Sequence, residues 1–177
     1  TISVSQTNGD GAWAIILNYS KTLFGWNLAF TTGQSTTTPT TPISITGAAN
    51  PGIISGDQLV TAFCIPTDVT TPSQFTSETL TATGATISAS TEIGEPDSTT
   101  GNDIGGVLSR NNCTAGTATA APVWGAAITG TLTNLRGPMM VVRIRDGVGD
   151  SGVIDTAGTT DGSTAIDYGA NAVNLAG

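Results

Sequence analysis

The chain is 177 residues long, enough to bury one core without metals or a disulfide scaffold, so a single domain is the default. Charged residues make up only 10%, against about a quarter in an ordinary soluble enzyme, and Thr, Ser, Gly and Asn fill the difference. A formal charge of −8 with five basic residues and no histidine argues against nucleic-acid and anionic-membrane binding, which need a basic patch, and leaves no residue for Ser-His-Asp or Cys-His catalysis.

Taken in chain order, short β-branched or alternating runs recur between Gly, Pro, Asn and Asp signals, with little helical periodicity. Strands are predicted around Ile2 to Ser5, Trp13 to Asn18, Trp26 to Thr31, Ile43 to Thr46 and Gln58 to Ile65. More are predicted around Glu78 to Thr83, Thr86 to Thr91, Gly106 to Arg110, Ala126 to Thr133 and Met139 to Arg145. The separators Asn8-Gly-Asp-Gly11 and Ser55-Gly-Asp57 supply the positive φ of tight turns. Thr83-Gly84-Ala85 reads as a hairpin with Gly84 at its tip. The expected fold is all-β, an antiparallel two-sheet sandwich of jelly-roll or immunoglobulin-like type.

Two stretches depart from this pattern. Residues 33 to 41, GQSTTTPTT, read as an uncharged extended loop. The last segment carries Asp146, Asp150, Asp155, Asp161 and Asp167 among many glycines and no basic residue. It reads as an extended arm that either stays mobile or gains order by lying along a neighbouring subunit, the second being the favoured reading. The predicted organisation is therefore a sandwich over residues 1–145 and an Asp/Gly-rich C-terminal arm over 146–177. No apolar run approaches the roughly 20 residues of a membrane span, and the chain is expected to be soluble.

Several residues are candidates for chemistry or contact. Cys64 and Cys113 read either as small buried hydrophobes or as one bridge. Glu78, Glu92, Glu95, Asp97 and Asp103 are the carboxylates a glycosidase would need, but residues 92–97, EIGEPD, read as a solvated turn. Calcium is the metal to consider, through Asp146 and Asp150 or through Asp97 to Asp103, because oxygen ligands sit there in Gly-bearing loops. The Asp-x-Asp-x-Asp-Gly pattern of an EF-hand is missing, so the expectation is no cofactor. Trp13 and Trp26 lie in apolar strands and read as core, whereas Trp124 follows Pro122 at a strand entry and is the aromatic expected to be exposed. Tyr19, Lys21 and Phe24 surround a loop and read as a rim contact. Asn18-Tyr-Ser20 and Asn112-Cys-Thr114 match the short glycosylation acceptor pattern. In the run 139–145, MMVVRIR, alternation puts Met139, Val141, Arg143 and Arg145 on one face. With Arg136 these arginines form a basic stripe that either complements an Asp-rich arm or is simply a solvated outer face. Partner contact is therefore assigned to Arg136, Arg143, Arg145, Trp124, Asp146, Asp150 and Asp155.

Gly56-Asp-Gln-Leu-Val60, Gly101-Asn-Asp103, Ala115-Gly-Thr117 and the closing Val141-Val-Arg-Ile-Arg145 resemble the β-sandwich surface modules of tailed bacteriophages over about half the chain. The resemblance implies a capsid decoration or cement protein, or a related head-fibre module. Such a protein is no enzyme: it is oligomeric, sits on the virion surface and binds major capsid protein or other virion subunits. Two other expectations stand beside it, a secreted carbohydrate-binding module and a subunit of an extracellular filament whose arm donates a strand.

Overall fold

A computed structural model describes residues 15–19, 26–35, 42–65, 74–96, 105–129 and 136–146. Their regular structure is entirely β: β1 (Trp26–Ser35), β2 (Ile43–Thr46), β3 (Gln58–Ile65), β4 (Phe75–Thr81), β5 (Ala85–Ile87), β6 (Thr91–Gly94), β7 (Gly105–Gly116), β8 (Val123–Ile128) and β9 (Gly137–Asp146). They form two antiparallel sheets packed together. The larger has the order β1-β9-β3-β7-β5, with β6 also on β7, and the smaller is β2-β8-β4. The chain divides into two compact units, Thr1–Leu17 with Ala29–Arg143, and Asn18–Leu28 with Ile144–Gly177. The second is described only in part, and there Tyr19 meets Trp26 edge to face with ring centroids 6.2 Å apart.

In the first unit the period-two pattern decides which side chains go inside. Ile43 and Ile45 of β2, Leu59, Phe63 and Ile65 of β3, Val107 and Cys113 of β7, Trp124 and Ala126 of β8, and Met139 and Val141 of β9 form one buried cluster. At its centre the Phe63 ring lies 4.9 Å from Trp124 and 5.9 Å, nearly perpendicular, from Phe75. Offset and edge-to-face aromatic pairs of this kind each add about 0.5–1.5 kcal/mol beyond burial.

The Ser55-Gly-Asp57 turn forms as expected. Gly56 has φ 97°, Asp57 N donates to the Ile54 carbonyl, and the buried Asp57 carboxylate accepts from Ile54 N at 2.8 Å. Gly84 also supplies a positive φ, 91°, and Ala85 N closes the turn on Ala82 O. The turn is nevertheless not a hairpin, because β4 pairs with β8 whereas β5 pairs with β7. It carries the chain from the smaller sheet to the larger. What holds it is the strand end beyond it: Thr117 N donates to Gly84 O and Thr119 N to Thr83 O.

Other differences from the sequence reading have similar causes. The Thr-rich run expected as one strand from Thr86 to Thr91 is two short strands, β5 and β6, which meet different stretches of β7. Gly33 to Ser35 extend β1 and are not loop. The described part of the expected strand from Trp13, residues 15–18, carries no strand pairing. The expected strand from Ile2, the turn at Asn8 to Gly11 and the arm beyond Asp146 lie outside the described residues.

Candidate functional site

In β1, Thr31 and Gly33 turn toward the core: Thr31 is buried, and a side chain at Gly33 would meet Ile45 and Met139. Alternation therefore sends Phe30 to the opposite face, where it is 68% exposed. In β9, buried Met139 leaves Met140 facing the same way, at 41% exposure. The first unit thus shows a large phenyl ring and a thioether on the outer face of adjacent strands, one of which, β1, is the last of the larger sheet among the described residues. An apolar patch on the outer face of a sheet is a surface for docking. In the second unit Leu28 is 63% exposed, and Trp26, expected in the core, is 37% exposed. Aromatic and β-branched composition identified β1 as a strand, but not which face the second sheet would cover.

The candidate residues are scattered. Arg136 is exposed and, with Gln34, Ser35, Gly137 and Pro138, lines an open cleft of about 320 Å³. Arg143 corrects the outer-face reading. It shares a face with Met139 and Val141 as alternation requires, but that face is the inner one, and Arg143 is buried with one guanidinium nitrogen donating to Gly52 O at 3.4 Å. Arg145 is half-buried and Asp146 exposed at the end of β9. Asp150 and Asp155 lie outside the described residues, as do Asp97, Asp103, Trp13, Lys21 and Phe24. Trp124 corrects the expected exposure: it is 0% exposed and stacked on Phe63, so it is no platform for a sugar ring. The reason is its register, opposite Ile45 and Leu80 on the inner face of the central strand β8.

Both cysteines are free. Cys64 lies opposite Gly106 on the β3–β7 ladder, and Cys113 is seven residues further along β7. At about 3.3 Å per residue that is about 23 Å, far beyond disulfide reach. Burial pushes both thiols up from the ordinary cysteine range.

The segment expected as a solvated acidic turn is different. Glu92 stands in strand β6, where it is exposed as the solvated reading expected, and Glu95 accepts from Gln74 N at 2.9 Å and Phe75 N at 2.8 Å. Glu78, Glu92 and Glu95 each bring a carboxylate oxygen within 4.8 Å of the others. The Glu92 carboxyl is pushed up to about 7, first by burial, then by its hydrogen bond and charge contact with Glu95 and by the charge of Glu78. Glu78 is raised too, mainly by burial. The sequence shows Glu92 and Glu95 as neighbours, but Glu78 comes from β4 in the other sheet and joins them only in the tertiary structure. Compared with known protein families, curated proteins and solved structures, the chain matches none.

Proposed function

We propose that this chain is a structural surface protein that works by non-covalent adhesion, a decoration or cement protein clamping neighbouring subunits of a virion head. The observation that supports the reading is the apolar outer face of β1 and β9, with Phe30 at 68% exposure and Met140 at 41%. A single exposed apolar residue is ordinary, but two large ones on the same outer face of neighbouring strands favour an occupant that covers them. The rest of the chain suits a part whose work is holding. It has a continuous sandwich core, a surface poor in charge, no histidine, and thiols that burial keeps protonated. Each bound copy stabilises the assembled lattice by mass action. Burial of Trp124 withdraws the aromatic on which a glycan-binding reading rested.

The test has two arms. Antibodies raised to the chain should label particle heads in its native source, with regular density by cryo-electron microscopy. Light scattering of the purified full chain should show association that Phe30→Asp weakens at least tenfold, while thermal stability stays within about 0.5 kcal/mol of the original, as expected for an exposed site. Absence of label on particles, together with a monomer indifferent to Phe30→Asp, overturns the reading.

A further inference from the structure

We propose that Glu78, Glu92 and Glu95 bind a calcium ion that ties the smaller sheet to the larger. Glu78 belongs to β4, which among the described residues is an outer strand of the smaller sheet. Glu92 belongs to β6, which among the described residues pairs only with β7 in the larger, and Glu95 follows it. The three carboxylates thus meet between a strand of the smaller sheet and a strand of the larger.

Their spacing fits one coordination shell. Calcium takes oxygen ligands at about 2.3–2.6 Å, so oxygens on opposite sides of it lie about 4.6–5.2 Å apart, and these three atoms lie within 4.8 Å of one another. Magnesium, with bonds of about 2.0–2.1 Å, asks for a tighter octahedron and several retained waters. The donors are hard oxygens, with no imidazole or thiolate among them.

A second observation, independent of the acidic cluster, points to an occupant. Glu92 pairs across the ladder with Ser109, and Ser109 pairs in turn with Thr61. Directly paired residues project from the same face of a sheet, so Glu92, Ser109 and Thr61 form a row that faces the smaller sheet. Ser109 and Thr61 are each 1% exposed, and neither hydroxyl has a hydrogen-bond partner among the described residues. Buried hydroxyls are almost always bonded. Two without partners, in the row that ends at Glu92, supply the neutral oxygen a calcium shell uses beside carboxylates, directly for Ser109 or through a bound water.

The carboxylates themselves are aimed. Ser77, at φ 56°, sits in a register break of the β4–β8 ladder between Thr76 and Thr79. Beyond this break alternation puts Glu78 on the same inner side as Leu80, two residues on, and one Glu78 oxygen is left without a partner among the described residues. Glu95 is fixed by the two N–H groups of Gln74 and Phe75, one on each oxygen. Each oxygen keeps a further lone pair for the ion.

Titration of the metal-stripped full chain with calcium chloride tests the proposal, followed by calorimetry and by thermal melting. At a hundredfold excess over Kd the melting temperature should rise by about 5–10 °C. Glu92→Gln should lose at least nine-tenths of the affinity, and Ser109→Ala should weaken it while leaving the calcium-free melting temperature the same or higher. The proposal is overturned by an absence of binding heat up to about 5 mM calcium, or by a rise of equal size in Glu92→Gln. It is equally overturned by a melting temperature that climbs as pH falls from 8 to 5 and ignores calcium, which would assign the cluster to a shared proton.

Discussion

Replacing Trp124 separates two properties of one side chain, its bulk and its indole N–H. The residue is 0% exposed, packed on Phe63 at 4.9 Å, and its Nε1 has no hydrogen-bond partner among the described residues. Trp124→Ala removes the ring and should cost about 3–5 kcal/mol from transfer and cavity, with about 0.5–1.5 kcal/mol more for the lost aromatic pair. Trp124→Phe keeps a ring against Phe63 and leaves a void of about 40 Å³, which costs about 1 kcal/mol at ~24 cal/mol/Å³. It also deletes a buried donor that lacks an acceptor, which returns about 1–3 kcal/mol. The phenylalanine variant should therefore lie between about equal to the original and about 2 kcal/mol more stable. Urea unfolding followed by far-ultraviolet circular dichroism gives both differences from shifts in midpoint at unchanged slope. A Trp124→Phe cost above about 3 kcal/mol would refute the reasoning, since it would mean that the indole N–H is satisfied and the aromatic cluster cannot relax.

Two further outcomes follow from backbone geometry and burial. Gly116 has φ 80°, and a methyl there would overlap the Gly84 carbonyl oxygen, so Gly116→Ala should destabilise by more than about 2 kcal/mol in the same urea assay. Alkylation by iodoacetamide should be slow at Cys64 near pH 8 and accelerate above the ordinary thiol range, because burial favours the neutral thiol in the folded chain. Cys113 should react only on unfolding, and mass spectrometry of the non-reduced chain should find no bridge between the two.

The class of fold was legible because it is a property of local pattern. β2 and β3 run over the residues that β-branched alternation marked, Ile43 to Thr46 and Gln58 to Ile65, and Gly56 and Gly84 take the positive φ that their neighbours demand. A period of two shows which side chains share a face, as for Met139, Val141 and Arg143. It carries no information on which face the other sheet covers, so Arg143 was expected on a solvated surface and is buried. The same gap misplaced Trp26 and Trp124, since exposure follows from a strand's position within its sheet and from what packs over it. Long-range register decided the remainder. The turn at Gly84 changes sheets because Thr83 and Gly84 bond to the strand end at Thr117 and Thr119. Glu78 meets Glu92 and Glu95 although β4 and β6 belong to different sheets. The sequence by itself determined that strands would form and how each would alternate, because those depend on neighbours along the chain. Which faces are inside, and which carboxylates meet, depend on pairing between distant segments, and only the tertiary structure sets that.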